Sequence, residues 1–160
     1  MVVLVMGVAG SGKTTVGRRL ADALGWEFYD ADDFHPRANV EKMARGVPLD
    51  DEDRGPWLEA LREVVRAALE RGGGAVLACS ALKECYRERL LVDERVKLVY
   101  LKGDRGLLRR RLSARRGHFM RPEMLDSQLA ALEEPGPETH FDASAAPDEL
   151  VGAIRDRLGI

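Results

Sequence analysis

Gly7-Val8-Ala9-Gly10-Ser11-Gly12-Lys13-Thr14 is the run with the most definite chemistry in the chain. It matches the pattern G-x-x-x-x-G-K-[ST], in which glycines let the backbone turn tightly and aim successive N–H groups at a phosphate. A helix opening near Lys13 adds the positive end of its dipole to the same anion. The Lys13 ammonium can then reach the outer phosphates of a nucleotide, and the Thr14 hydroxyl can ligate Mg²⁺. With Thr15 the candidate nucleotide-contacting run is 7–15. A glycine turn that merely joins two elements is the alternative, but the buried strand before it and the helix after it are what phosphate binding requires.

Three further groups of residues could do chemistry. Asp30-Ala31-Asp32-Asp33-Phe34-His35-Pro36 carries carboxylates able to order Mg²⁺ and accept a proton from an attacking hydroxyl; an acidic helix-capping turn is the other reading. Cys79-Ser80-Ala81-Leu82-Lys83 brings a hydroxyl and an ammonium together, and Tyr86 and Arg87 follow Lys83 at helical spacing, as they also would on an ordinary amphipathic helix. Arg109-Arg110-Arg111-Leu112-Ser113-Ala114-Arg115-Arg116 is the densest positive run. Such a run can be a solvated helix face, an RNA-binding patch, or a set of mobile arginines that close over a nucleotide. Gly117-His118-Phe119 then reads as a loop able to move.

These groups need a frame that gathers them. Residues 2–6 form an apolar β-favouring run, as expected of a strand buried on both faces. Val16, Leu20 and Leu24 keep helical spacing before Gly25. Further strands are predicted over 26–29, 75–79 and 98–101, and a weak one near Phe141. Helices are predicted over 57–69, 83–91, 105–115, 124–132 and 147–158, with one around 40–44 inside an otherwise polar, irregular stretch over 30–54. Strands alternating with helices predict a parallel α/β sheet covered on both faces. In such sheets ligands collect beyond the C-terminal strand ends, where the phosphate loop and the Asp30 segment lie.

The length of 160 residues fits one domain spanning 1–160. The net charge of −2 offers no broad attraction to nucleic acid or acidic lipid, so neither partner is expected. Cys79 and Cys85, with three histidines, suggest neither a disulfide framework nor a zinc site. The N-terminal apolar run is too short for a membrane span and lacks the features of a signal peptide, which makes a cytoplasmic protein the expectation. The only asparagine, Asn39, is followed by Val40 and Glu41, so the Asn-Lys-x-Asp guanine reader of GTPases is missing. The strand over 75–79 does not end in the metal-binding acid of a motor ATPase. These absences favour the small-molecule kinases.

Together the phosphate loop, Asp30-Ala31-Asp32 and His35-Pro36 resemble the gluconate kinases. So do Glu41-Lys42-Met43, Pro48-Leu49-Asp50-Asp51, Asp53-Arg54, Pro56-Trp57-Leu58, Cys79-Ser80-Ala81-Leu82-Lys83 and Tyr86-Arg87. Tyr100-Leu101-Lys102-Gly103, Arg115-Arg116-Gly117-His118-Phe119 and Glu134-Pro135-Gly136 extend the match over residues 2–136. The resemblance implies transfer of the ATP γ-phosphoryl group to the 6-hydroxyl of D-gluconate. It also implies a P-loop three-layer fold of the nucleoside-monophosphate-kinase type, with a five-stranded parallel sheet, a mobile lid around 111–135 and a homodimer. By the same resemblance Arg111 matches an adenine-stacking arginine, Arg115 a phosphate-contacting one and Asp32 the acceptor-side aspartate. Asp30 helps hold the metal or substrate, and His35, Arg54, Lys83 and Arg87 become candidates for the sugar-acid site. Shikimate kinase shares the loop and the Asp-x-Asp, but not the Trp57 and Lys83 blocks. A nucleotide-dependent RNA-binding or regulatory module is the alternative from another class.

Overall fold

The computed structural model describes residues 1–115 and 122–160. Its strands are β1 (Val2–Met6), β2 (Glu27–Asp30), β3 (Ala75–Ala78), β4 (Val96–Lys102) and β5 (His140–Asp142). They form one parallel sheet in the order β2-β3-β1-β4-β5. The helices are α1 (Lys13–Leu24), α2 (Arg37–Ala44), α3 (Asp51–Glu70), α4 (Glu84–Leu90), α5 (Arg105–Ala114), α6 (Pro122–Ala131) and α7 (Pro147–Leu158). A 3-10 turn, Ala31–Phe34, follows β2. The expected five-stranded parallel sheet flanked by helices is what the chain forms.

The strand sequences explain the layering. Side chains alternate across a strand, so Val2, Leu4 and Met6 of β1 pack toward α3 residues Trp57, Leu58, Leu61 and Val65. Val3 and Val5 face the opposite way, onto Val16 and Leu20 of α1 and Ile154 of α7. A strand apolar at every position therefore belongs in the middle of a sheet covered twice. A smaller third cluster joins Val8 and Ala9 of the phosphate loop to Leu108 and Leu112 of α5 and Leu125 of α6. Among the described residues, no helix is long and apolar enough to cross a membrane.

The stretch over 30–54 is more ordered than its polarity suggested. α2 occupies Arg37–Ala44, and α3 begins at Asp51, six residues before the first apolar position of its stripe. A capping box explains the early start: the Asp50 carboxylate accepts the Asp53 N–H at 2.7 Å, and the Asp53 carboxylate accepts the Asp50 N–H at 3.0 Å. Pro56 lies inside α3, where its missing N–H leaves the carbonyl of Glu52 without its helical donor; Glu52 is exposed, so solvent can serve it. Lys42 Nζ, 2.6 Å from Asp53 Oδ2, ties α2 to this helix start.

Candidate active site

β1, β2 and β3 are parallel, so the segments leaving their C-terminal ends meet along one edge of the sheet. The loop after β1 folds back on itself, with the Ser11 N–H donating to the Val8 carbonyl at 3.1 Å. Gly10 and Gly12 have φ of 84° and 90°, a left-handed backbone that L side chains rarely adopt. A Cβ at Gly7 would lie 2.4 Å from Ser11 Oγ, so the loop closes this tightly only over a glycine. Gly12 caps α1, and its carbonyl accepts the Val16 N–H at 2.9 Å, which turns the first amides of α1 toward the loop.

Side chains from the next two strand ends converge on this loop. The Thr14 hydroxyl donates to Asp30 Oδ2 at 3.1 Å, and Asp30 Oδ1 accepts the Asp32 N–H at 3.0 Å. Asp30 thereby caps the 3-10 turn that carries Asp32 and Asp33, both exposed. Enclosure lowers the pKa of the Lys13 ammonium, while Asp32, Cys79 and Asp30 oppose that effect electrostatically and Arg115 adds to it. Burial pushes the Cys79 thiol up to about 12, so it stays a neutral neighbour of Lys13.

These features fit a nucleotide phosphate chain with a divalent cation. The loop supplies inward amides, a helix N-terminus and a lysine. Ser11 Oγ is buried and, among the described residues, has no hydrogen-bond partner, as expected of a polar atom that awaits a ligand. The Thr14 hydroxyl and the Asp30 carboxylate, already in contact, are hard oxygen donors of the kind Mg²⁺ takes. Thr15 is exposed at the third position of α1.

The predicted acceptor residues lie on α3 and α4, at the N-cap of α4 (Lys83), and on and just after the 3-10 turn. The His35 ring stacks on Trp57, and its Nε2 stands 4.0 Å from Asp32 Oδ1. Trp57 Nε1 donates to the Ala31 carbonyl at 2.7 Å, fixing the same turn from below. Arg54 Nη1 donates to the Leu49 carbonyl at 2.6 Å and lies 3.3 Å from the Tyr86 hydroxyl. Lys83 Nζ donates to Asp51 Oδ1 at 3.1 Å, and the Tyr86 hydroxyl donates to that same oxygen. Arg87 differs from its neighbours. It is buried, with Nη1 on the carbonyls of Ala81 and Leu82 at 3.0 and 3.1 Å. Ala81 has φ 44°, a strained value for a residue with a Cβ, and Arg87 holds that turn in place.

On the other side of the loop, α5 and α6 form the described part of the predicted lid. Arg111 Nη1 lies 3.4 and 3.3 Å from the carbonyls of Gly10 and Ser11, and its Nη2 donates to the Ala143 carbonyl at 2.6 Å. It thus bridges the phosphate loop and the segment between β5 and α7. Arg115 is exposed at the end of α5, within electrostatic reach of Lys13. Arg109 and Arg105 pair with Asp126 of α6, which joins the two helices. Arg116 and the predicted loop Gly117-His118-Phe119 lie outside the described residues.

The family model described as an AAA domain matches residues 2–135. A probable gluconokinase of Xenopus tropicalis is 46% identical, over 99% of this chain and 95% of that protein. The chain belongs to the gluconokinase family. Gluconokinase of Gluconobacter oxydans (strain 621H) is 52% identical over 83% of this chain and 75% of its own length. The crystal structure of a gluconokinase from Sinorhizobium meliloti 1021 superposes with a TM-score of 0.86 at 38% identity, covering 98% of this chain and 90% of that one.

Within this gluconokinase framework, four residues around the site had no assigned part in the sequence reading. Asn39 Nδ2 donates to the Asp53 carbonyl at 2.9 Å and lies 3.4 Å from His35 Nδ1, so it orients the stacked histidine. Asp51 gathers Lys83 and Tyr86. Trp57 was legible as a family block but not as the floor of the Asp32 turn. Gln128, from α6, accepts the Ala9 N–H of the phosphate loop at 2.8 Å. Asp51 and Trp57 left a sequence signal, by their places in the Pro48-Leu49-Asp50-Asp51 and Pro56-Trp57-Leu58 blocks.

Proposed function

We propose that this protein transfers the γ-phosphoryl group of ATP to the 6-hydroxyl of D-gluconate, giving 6-phosphogluconate and ADP. The observation that carries the reading is the contact between Thr14 and Asp30, which sets the phosphate loop directly against the turn bearing Asp32. Phosphoryl transfer depends on placement and charge neutralisation more than on covalent chemistry. The loop amides and Lys13 hold the triphosphate; Asp32 orients the acceptor hydroxyl and takes its proton. Arg54 and Lys83 hold the acceptor's carboxylate, with His35 and Arg87 shaping that pocket and Arg115 offsetting charge on the moving phosphoryl group. Arg111 lies against the adenine side. Thr14 and Asp30 would hold Mg²⁺, which would supply charge neutralisation to the phosphate oxygens.

Arg109 pairs with Asp126 and Arg111 binds backbone carbonyls, so much of the basic run is engaged within the protein rather than offered to RNA. We further propose a cytoplasmic homodimer with one catalytic domain per chain.

A coupled ADP-release assay with gluconate, glucose, shikimate and no acceptor tests the function. Gluconate should be turned over much faster than glucose, which lacks a carboxylate and would leave the Arg54 and Lys83 cations unmatched. Comparable turnover of glucose and gluconate, or preference for shikimate, would overturn the reading.

A further inference from the structure

Gln128 stands 119 residues from Ala9 in sequence, yet its Oε1 accepts the Ala9 N–H at 2.8 Å. The contact is half-buried and does not stand alone. Leu125, one turn earlier on α6, is fully buried against Val8, Ala9, Leu108 and Leu112, and Leu129 packs on the same cluster. One face of α6 therefore lies against the phosphate loop, with the Gln128–Ala9 hydrogen bond set beside apolar contacts. Ala9 is the residue immediately before Gly10, where the backbone enters its left-handed bend. An amide held from outside at Ala9 fixes the peptide plane from which that bend starts. The peptide units that follow, among them Ser11 with its N–H returned to the Val8 carbonyl, take their direction from it. From the neighbouring α5, Arg111 reaches the carbonyls of Gly10 and Ser11, so the bend is held by an acceptor from α6 and a donor from α5.

We propose that Gln128 is a positioning residue for nucleotide phosphate: it sets the phosphate loop through the Ala9 amide and couples the orientation of α6 to that loop. The proposal rests on the nucleotide-binding reading of the loop but not on the identity of the acceptor. A helix that holds the loop gives its own position a direct route to phosphate affinity. The apolar contacts of Leu125 and Leu129 place the helix, while the hydrogen bond supplies the direction that apolar packing lacks.

The test uses two variants of the full chain. Gln128→Met keeps length and helix preference but removes the acceptor; Gln128→Glu keeps an oxygen for the Ala9 N–H. Three measurements are made on each: the melting temperature, dissociation constants for ADP and for adenosine, and exchange of the Ala9 amide followed by NMR in nucleotide-free enzyme. We expect Gln128→Met to weaken ADP binding about tenfold, the order expected when a buried amide loses its partner. Adenosine affinity should stay near the parent's, because adenosine carries no phosphate for the loop amides to bind, and any fall in melting temperature should leave the variant fully folded at the assay temperature. The Ala9 amide should exchange faster in Gln128→Met and at the parental rate in Gln128→Glu. Equal weakening of ADP and adenosine, or partial unfolding at the assay temperature that accounts for the ADP loss, would make the contact merely structural and overturn the proposal. Unchanged ADP affinity in Gln128→Met would do so as well. Should Gln128→Met fail to fold, faster Ala9 exchange in Gln128→Glu than in the parent would be the overturning result, and parental exchange the supporting one. None of these readouts involves gluconate, so failure of the acceptor assignment would leave them intact.

Discussion

His35 stacks face to face on Trp57, with ring centroids 4.4 Å apart and planes 11° from parallel. The pair matters because both rings touch the turn that carries Asp32: Trp57 through the Ala31 carbonyl, His35 through Asp32 itself. Burial lowers the His35 pKa below its ordinary 6.5, Asp32 opposes this, and Arg54 adds to the lowering. The folded state therefore binds fewer protons than the unfolded chain at pH values between the folded pKa and 6.5.

From this follows a pH dependence of stability. Where the unfolded state binds more protons, stability rises with pH, so the neutral stacked ring contributes fully above 6.5 and its contribution is lost as pH falls toward the folded value. Melting temperatures taken from about pH 5 to pH 8 should fall on the acid side, and His35→Phe, which keeps the stack but cannot titrate, should flatten that part of the curve. An unchanged slope in His35→Phe would assign the acid sensitivity to other groups.

Arg115 ends α5 next to the undescribed segment, exposed and within reach of the Lys13 charge. Arg115→Ala should slow turnover by about 10² while ADP affinity changes less, because a charge that acts as the phosphoryl group moves contributes to the transition state more than to ground-state binding. Pre-steady-state turnover and ADP titration check the two halves separately. Near-parental turnover would mark Arg115 as a surface residue and transfer the role to Arg116.

What the sequence made legible was mostly local. The phosphate loop is a contiguous pattern, and β1 and α1 announce themselves by period and by the glycines between them. Residues 30–54 were read as largely irregular because their helix signals are polar: an Asp50/Asp53 capping box and a proline inside α3. The Gln128–Ala9 bond left no trace, since a glutamine on a helix face looks the same whether it meets solvent or a backbone amide 119 residues away. Arg87 was legible as a cation near the acceptor crevice. Its hold on the strained Ala81 turn depends on a backbone angle that no residue type signals.

Arg54 is the residue best suited to test where the acceptor's carboxylate binds. Its guanidinium lies 5.5 Å from the Tyr86 ring centroid and its Nη1 is already placed by the Leu49 carbonyl, so it enters binding pre-oriented. Arg54→Gln should raise the gluconate KM at least about tenfold, the loss expected for a charge-assisted contact, while the ATP KM stays within about twofold. Initial-rate kinetics with each substrate varied in turn check this. Equal rises in both values would point to general disturbance of α3.

The adjacent carboxylates Asp32 and Asp33 share one 3-10 turn and are both exposed, so burial does not rank them. Their neighbours do. Asp32 has its N–H bonded to Asp30, stands 4.0 Å from His35 and acts on the charge of Lys13. Asp33 is the next residue of the turn, and successive positions on a 3-10 turn point in different directions. Asn is nearly isosteric with Asp but can neither take a proton nor carry the charge. Asp32→Asn should therefore lower turnover by about 10²–10⁴, the range for a positioned general base. Asp33→Asn should remain within a few-fold of the parent, under about 1 kcal/mol, as for a capping or surface position. Steady-state rates at saturating gluconate and MgATP, on variants shown to be folded, decide between them. A larger loss at Asp33 would place the base one residue further along the turn and would detach catalysis from the Thr14–Asp30–Asp32 chain of contacts.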